Sequence, residues 1–286
     1  MGLCSSKEMI KEASKNKKGV CAFAVHHFEM MKGVLAAAEE ENVPVILQTT
    51  PATILYLGIP YIVQSVRVLA DSVQIPVALH LDHGDSFETV MACIRGGYTS
   101  VMIDGSHLSF EENIALVKKT VDACRPVGIP VEAELGSIFR NEEEEDMRGG
   151  ENRYFTDPEL AGEFAVRTGI DFLAPAFGTI HGEYKKPPSL DYGRIERIAQ
   201  LTKLPLVMHG ASGLSDDAMK KAAECGISKV NFSTELKMAF AEELRSFLLS
   251  HEKECDPRKY FLTAREKVKE IAGRKMALLF KKEALQ

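Results

Sequence analysis

Three histidines in this chain are each followed directly by a glycine, and each comes just after an apolar run of strand length: His83, His181 and His209. An aspartate, Asp82, immediately precedes the first of them. Imidazole nitrogens are common ligands of zinc and similar divalent ions, and three protein ligands leave a coordination position for a substrate. A carboxylate beside such an ion can transfer protons as a general acid or base. These residue types predict one catalytic metal site, provided that the fold brings the three histidines together.

Eight apolar runs, which alternate with helical patterns, must position these residues. The runs cover residues 20–25, 43–50, 75–81, 100–103, 130–135, 172–177, 204–208 and 229–232. Because polar and apolar residues do not alternate strictly within them, they fit parallel strands that are covered on both faces. Eight strand–helix units predict an α/β fold of the (β/α)8 TIM-barrel type, whose active sites lie at the carboxyl ends of the strands. A doubly wound open sheet is the alternative, but no G-x-G-x-x-G follows the first run.

Helix signals complete this organisation. Ser109 with Glu112, and Thr156 with Glu159, both fit the capping-box pattern at a helix start. The chain after Ser233 is predicted to be largely helical, with a break at 256–260 and a last helix over 263–280. We expect a single domain over residues 1–286, in which residues from about 235 to 286 form a C-terminal helical extension.

Composition excludes several classes of partner. The 286 residues are 45% hydrophobic and 27% charged, and the formal net charge of −6 offers no basic footprint for nucleic acid. We find no signal-peptide core and no apolar stretch long enough to span a bilayer. The six cysteines lack CxxC spacing, which predicts reduced thiols. We therefore expect a cytoplasmic protein that binds neither nucleic acid nor a membrane.

The stretch HGASGLSDD, residues 209–217, is a candidate phosphate site. Its small residues let backbone amides approach an anion, and the helix predicted to start at Ser215 directs its positive dipole end to the same place. Loops after strands seven and eight are the usual phosphate site of this barrel. The eighth strand adds polar donors, namely Asn231, Ser233 and Thr234. A tight turn with glycines needed only for packing is the competing interpretation, and the neighbouring metal site makes it weaker.

Six motifs together resemble the class II, zinc-dependent ketose-bisphosphate aldolases: HLDHG, SVMIDGSHLSFEENI, VEAELG, GTIHGEY, PLVMHGASGLS and KVNFSTELKMAF. The similarity runs from about Gly19 to the final helix and is greatest to the tagatose-1,6-bisphosphate branch. It implies reversible cleavage of a ketose 1,6-bisphosphate, tagatose or fructose, to dihydroxyacetone phosphate and glyceraldehyde 3-phosphate through a zinc-stabilised enediolate. It also implies a phosphorylated sugar as the substrate and a homodimer or homotetramer as the assembly.

The same resemblance assigns roles to individual residues. Asp82 becomes the catalytic acid/base for the aldehyde oxygen, and Glu142 becomes a mobile-loop carboxylate that transfers a proton at the ketone's carbon. Asp104 and Glu134 match a secondary metal site. The ligands of one catalytic Zn²⁺ are His83, His181 and His209. The substrate phosphate, with a monovalent cation such as Na⁺ or K⁺ nearby, is held by Gly182, Gly210, Ala211, Ser212, Asn231, Phe232, Ser233 and Thr234.

Departures from the family pattern leave other functions open. Ala24 stands where relatives have an asparagine near the substrate, and Phe139 with Arg140 replaces paired glycines. An aldolase for another phosphorylated sugar or sugar acid is one alternative, and a non-catalytic paralogue that stabilises a partner is another. A zinc hydrolase lacks support because the HxH ligand pair is missing. A Schiff-base aldolase would need a lysine inside the barrel, and Lys229 is predicted at the entry end of its strand.

Overall fold

The computed structural model describes residues 2–136, 138, 155–182, 184, 186 and 188–281. Eight parallel strands close into a barrel in chain order, so the predicted (β/α)8 fold is confirmed and the open sheet is excluded. The strands are β1 (Val20–Ala24), β2 (Val45–Thr49), β3 (Val77–Gly84), β4 (Ser100–Ile103), β5 (Val131–Leu135), β6 (Phe172–Pro175), β7 (Leu206–Met208) and β8 (Ile227–Phe232).

Eleven α-helices occur in the described part of the chain. They are α1 (Ser6–Lys15), α2 (Phe28–Glu41), α3 (Pro51–Leu57), α4 (Ile59–Asp71), α5 (Phe87–Gly96), α6 (Phe110–Cys124), α7 (Pro158–Thr168), α8 (Tyr192–Thr202), α9 (Asp216–Cys225), α10 (Thr234–Ser250) and α11 (Pro257–Phe280). The last two form the predicted C-terminal helical extension, and α11 packs against both α2 and α10.

Two helix starts differ from the sequence prediction for reasons of capping chemistry. Helix α11 begins at Pro257, six residues before the predicted start, because Asp256 caps it and proline is well suited to the first helical position. Helix α7 is capped by Asp157 and not by Thr156. The Thr156 hydroxyl instead donates to the Leu135 carbonyl and accepts the Ala176 N–H at 2.7 Å, which ties the ends of β5 and β6 together. The capping box of Ser109 and Glu112 is confirmed.

Helix α1 covers the amino-terminal end of the barrel. Its buried residues Met9, Ile10 and Ala13 belong to one apolar cluster with Ile46 and Phe172 of the barrel strands. This apolar layer fills much of the lower barrel, and one polar contact, between Ser6 of α1 and Ser100 of β4, also reaches this level. A second and larger core lies between the strands and the outer helices.

Strand β3 has an irregular end that shapes the site. Its pairing with β4 shifts register between Leu81 and Gly84, and His83 adopts a left-handed backbone conformation with φ of 48°. Such a conformation is uncommon and costs energy for a residue with a side chain. A side chain at Gly84 would overlap the Met102 carbonyl oxygen, so close approach to β4 requires glycine there. The strand therefore continues three residues beyond the predicted Leu81 and carries Asp82 and His83 with it.

In the described part of the chain, no single helix is long and apolar enough to span a membrane. One pair, α3 and α4, passes a length-and-composition test only when both are taken together, and the two helices are bent by 93°. All six cysteines are free thiols, in agreement with the reduced state predicted from their spacing.

Candidate active site

The three histidines meet at the carboxyl end of the barrel. His83 lies at the end of β3, His181 in the loop after β6, and His209 directly after β7. Their ring centroids are 5.0 Å apart for His83 and His181, 4.7 Å for His83 and His209, and 5.8 Å for His181 and His209. One nitrogen from each ring lies within 4.8 Å of the other two. The fold thus produces the grouping that a single-ion site needs.

Hydrogen bonds to two of the rings determine which nitrogens face the centre of this cluster. The Nδ1 atom of His83 lies 2.9 Å from Asp104 Oδ2, and the Nε2 atom of His209 lies 2.8 Å from Glu132 Oε1. A carboxylate can only accept, so each ring offers its N–H outward. The remaining nitrogens, His83 Nε2 and His209 Nδ1, face each other at 3.0 Å. That convergence fits two ligands of one small cation.

Electrostatics around the cluster favour a cation. Burial lowers the pKa of His83, but the Asp82 carboxylate and the hydrogen bond to Asp104 outweigh burial and raise that pKa to about 10. Burial, assisted by the positive charge of His83, lowers the pKa of His181 to about 3. Burial also lowers the pKa of His209. Positive charge is therefore stabilised at the centre, while two of the three imidazoles remain neutral donors.

Asp82 is buried beside this cluster, with 5% of its surface exposed. Gln48 Nε2 donates to Asp82 Oδ2 at 2.9 Å, and Asn231 Nδ2 donates to Oδ1 at 3.2 Å. Burial raises the pKa of Asp82, but positive neighbours, His83 first among them, bring it below the ordinary value. The carboxylate is thus ionised and fixed in orientation, as a general base must be.

Asp104 and Glu134 lie next to His83, and donor atoms of the three residues fall within 4.8 Å of one another. Asp104 Oδ1 accepts the backbone N–H and the hydroxyl of Ser106, at 3.0 and 2.7 Å, while its other oxygen holds His83. Glu134 Oε2 is buried without a hydrogen-bond partner among the described residues. Burial and the Asp104 charge raise the pKa of Glu134 to about 8. Asp104 orients the His83 ring through its hydrogen bond to Nδ1, whereas Glu134 makes no such contact with that ring.

Several of the predicted phosphate residues border one cavity. Gly182, Ser212 and Thr234 line a space of about 580 Å³. Ser212 Oγ accepts the backbone N–H groups of Ser233 and Glu235, both at 3.3 Å, so its own proton is available to an anion. The positive ends of α9 and α10 begin close to this loop.

Gly210 and Phe232 show how the backbone, more than the side chains, shapes this pocket. A side chain at Gly210, whose φ is 69°, would overlap the Ile180 carbonyl oxygen, so glycine allows the His181 and His209 loops to touch. Phe232 stacks on Phe23 at 5.4 Å and is fully buried, so its ring lies in the core. Of Phe232, only the main chain is therefore available to the predicted phosphate site, and the same holds for the buried Ala211.

Two of the sequence predictions fall outside the described residues. Glu142, predicted as a proton-transfer group, lies there, and so do Phe139 and Arg140.

Comparison with known proteins identifies the family. The model for class II fructose-bisphosphate aldolase matches residues 4–284. The chain belongs to the class II fructose-bisphosphate aldolase family. It is an aldolase, a carbon–carbon lyase. The crystal structure of the YdjI aldolase from Escherichia coli K12 shares 33% identity, covers 99% of this chain and 100% of its own, and has a TM-score of 0.87.

A second aldolase structure supports the fold. The fructose-bisphosphate aldolase from Campylobacter jejuni is 22% identical over 97% of this chain and 95% of its own, with a TM-score of 0.81. Class II aldolases are zinc-dependent, and the three-histidine cluster offers the nitrogen donors that such an ion requires.

The placement of Lys229 in this class II aldolase corrects one sequence expectation. Because β8 begins at Ile227, Lys229 is its third residue, and its fully buried side chain lies inside the barrel instead of at the entry end. Its Nζ atom is 2.7 Å from Glu132 Oε2 and 3.3 Å from His80 Nε2. The barrel interior therefore does contain a lysine. Its amine is engaged in a buried ion pair with Glu132, which disfavours its use as a Schiff-base nucleophile.

Sequence reasoning missed three residues of the aldolase site. Gln48 holds Asp82, Glu132 holds His209, and Lys229 holds Glu132. Each was detectable as a polar or charged residue inside a strand that is buried along its length. Inward-facing polar residues at such positions need partners, and the nearest candidates lie on neighbouring strands of the barrel.

Proposed function

We propose that this class II aldolase reversibly cleaves a ketose 1,6-bisphosphate, tagatose or fructose, to dihydroxyacetone phosphate and glyceraldehyde 3-phosphate. One observation carries the proposal: the three-histidine cluster lies beside the ionised Asp82 at one end of the barrel, and Gly182, which directly follows His181, borders the cavity together with Ser212. A ketose 1-phosphate presents its carbonyl oxygen and its phosphate only a few bonds apart. This arrangement can therefore bind both groups of one substrate.

We assign one catalytic Zn²⁺ to His83, His181 and His209. When bound, zinc acts as a Lewis acid that polarises the ketone carbonyl and stabilises the negative charge that develops in the transition state. Two observations support this assignment. His83 Nε2 and His209 Nδ1 face each other at 3.0 Å. The other nitrogen of each ring is hydrogen-bonded to a carboxylate, Asp104 for His83 and Glu132 for His209.

Asp82 is proposed to move the proton during carbon–carbon cleavage. In the cleavage direction it accepts the proton of the C4 hydroxyl while the C3–C4 bond breaks, and the electron pair of that bond stays with C3. The C4 fragment leaves as the aldehyde, and C3 then takes up a proton, a step that we assign to Glu142. Gln48 and Asn231 keep the Asp82 oxygens pointed at the reacting hydroxyl.

The phosphate of the dihydroxyacetone half is proposed to lie against Gly182, Gly210, Ala211 and Ser212 on one side and Asn231, Phe232, Ser233 and Thr234 on the other. Backbone N–H groups and the Ser212 hydroxyl supply the donors, while Asn231 contributes mainly through Asp82. A monovalent cation near this phosphate and a secondary divalent position at Asp104 and Glu134 remain predictions. Glu134 Oε2, which makes no hydrogen bond among the described residues and lies 3.7 Å from His209 Nδ1, is compatible with the second of these.

The test is an aldol-cleavage assay of the purified protein with tagatose and fructose 1,6-bisphosphates, followed by chelation and zinc rescue. We expect turnover with at least one epimer, its loss on chelation, and its return with zinc. Cleavage of only another phosphorylated sugar or sugar acid would select the alternative substrate. Bound zinc without turnover of any phosphorylated sugar would favour the non-catalytic paralogue. A borohydride-trapped substrate adduct on Lys229 would overturn the metal mechanism.

We propose a homodimer or homotetramer, and the face formed by α3 and α4 is the surface that best fits self-association. Four large apolar side chains are exposed there: Leu55 (89%), Tyr56 (80%), Tyr61 (48%) and Val68 (66%). Residues 42–66 contain no charged side chain, so two copies can meet without charge repulsion. The cytoplasm remains the predicted compartment.

Introducing a charge at Leu55 should dissociate this assembly. We expect Leu55→Glu to shift the protein to the monomer mass in light scattering after size exclusion, because two carboxylates would be buried in the interface. Val127→Glu, at a valine that is 60% exposed on the turn between α6 and β5, serves as the control and should keep the wild-type mass. A wild-type protein of monomer mass would contradict the prediction.

A further inference from the structure

A buried charged pair lies directly beneath the histidine cluster. Glu132 on β5 and Lys229 on β8 are both completely buried, and they pair across the barrel interior at 2.7 Å between Glu132 Oε2 and Lys229 Nζ. The other Glu132 oxygen, Oε1, lies 2.8 Å from His209 Nε2. Glu132 therefore connects the lysine to one of the three clustered imidazoles, with one carboxylate oxygen committed to each.

The polar contacts continue from Lys229 down to the helix that closes the barrel. Lys229 Nζ lies 3.3 Å from His80 Nε2, and His80 Nδ1 lies 2.8 Å from Ser100 Oγ. Ser6, near the start of α1, donates its hydroxyl to Ser100 Oγ at 2.7 Å. None of these four side chains is more than 1% exposed. Solvent therefore has little access to these contacts, and each group depends on its protein partners.

The positions of the protons in these buried hydrogen bonds follow from which groups can donate and which can only accept. The Lys229 ammonium only donates, so Glu132 Oε2 and His80 Nε2 must both accept from it. The Glu132 carboxylate only accepts, so the proton of a neutral His209 ring must lie on Nε2. The lone pair of His209 is thereby left on Nδ1, the nitrogen that faces His83 Nε2 at 3.0 Å.

Stability alone does not account for a charged pair at this depth. Desolvating two charges costs several kcal/mol, and replacing a buried ion pair with apolar residues of similar volume is often neutral or stabilising. Apolar side chains such as Ile46, Ala78 and Phe172 pack in the barrel layer below, so the interior accommodates apolar residues at this depth. Two apolar residues could occupy these positions without loss of stability. The charged pair differs from them in that Glu132 binds one specific nitrogen of His209, Nε2, and so constrains that ring.

We propose that Glu132 and Lys229 are positioning residues that fix the tautomer and ring orientation of His209, so that Nδ1 is presented to the divalent ion. Lys229 acts through Glu132: by binding Oε2 it prevents the carboxylate from turning away from His209. This inference rests on the proposed function only in that His209 is taken as a metal ligand. It gives the interior lysine a role that requires no contact with substrate.

The experiment compares two double variants, neither of which contains a buried charge at these positions. Glu132→Gln/Lys229→Met keeps an amide oxygen that can accept the His209 Nε2–H, whereas Glu132→Leu/Lys229→Met keeps the volume but offers no acceptor. Zinc affinity is measured by competition with a chromophoric chelator. We expect the leucine variant to bind zinc about 10- to 100-fold more weakly than the glutamine variant. Histidine ¹⁵N NMR should find the Nε2–H tautomer of His209 in the wild type and in the glutamine double variant, but not in the leucine double variant.

The single variant Glu132→Gln supplies an independent arm. With Lys229 present, the amide oxygen should turn to the ammonium and its NH2 group to His209 Nε2, which moves the ring proton to Nδ1 and removes the ligand lone pair. We therefore expect this single variant to bind zinc more weakly than the Glu132→Gln/Lys229→Met double variant. Thr168→Val, which deletes a buried hydrogen bond in α7, controls for general loss of stability and should keep wild-type affinity.

The possible failures are distinguishable. Wild-type protein that binds no zinc would refute the proposed metal site itself. Zinc-binding wild-type protein whose two double variants have equal affinity and the same His209 tautomer would refute only the positioning role of Glu132 and Lys229.

Discussion

Replacing Asp82 with alanine is expected to lower kcat by about two to four orders of magnitude while zinc remains bound, since this is the usual contribution of a general acid/base. Asp82 accepts hydrogen bonds from Gln48 and Asn231 on both oxygens, and the positive groups around it outweigh the effect of burial and keep it ionised. Asp104 is also hydrogen-bonded on both oxygens, but one of these oxygens holds the His83 ring and the other accepts from Ser106. The variant should therefore lose the proton acceptor and retain the metal ligands.

The measurement combines steady-state kinetics on whichever sugar bisphosphate the wild-type enzyme cleaves with metal analysis of the purified variant. Asp82→Asn is the matched control, because it keeps the volume but cannot take up a proton, and it should lose a similar amount of kcat. If Asp82→Ala were purified without zinc, the division of roles between Asp82 as acid/base and His83 as ligand would be wrong.

Replacing His209 with alanine should remove both zinc and activity. The substitution deletes the Nδ1 atom that faces His83 and leaves Glu132 Oε1 buried without its partner. The loss of zinc affinity should exceed the roughly 10- to 100-fold that a hydrogen-bond partner of a ligand contributes, because here the ligand itself is removed. Activity at micromolar zinc should fall to background.

Zinc content after dialysis and aldolase activity with added zinc provide the two measurements. His107→Ala is a suitable control, since His107 is exposed and lies outside the cluster, and it should bind zinc as the wild type does. Full zinc occupancy and turnover in His209→Ala would show that the ion is held elsewhere. Recovery of turnover only at high zinc would agree with a weakened site.

The sequence by itself was sufficient for the barrel and for the grouping of the histidines. Eight apolar runs followed by helix signals leave few topologies, and the carboxyl ends of parallel barrel strands meet at one rim. His83, His181 and His209 each follow such a run, so their convergence depended only on strand order. Asp82 came with them because it precedes His83 on the same strand. Local sequence patterns were therefore sufficient to predict this part of the site.

Contacts between side chains on different strands were decided by the tertiary structure. Which carboxylate holds which imidazole depends on barrel register and on the left-handed turn at His83, neither of which has a sequence signature. The extent of β8, from Ile227 instead of Lys229, placed a lysine in the interior that the apolar pattern had assigned to the strand entry. The physical reason is sequence separation. Hydrophobic periodicity depends on residues that are near each other in the chain, whereas a buried polar group in the barrel finds its hydrogen-bond partner on a strand that is distant in sequence.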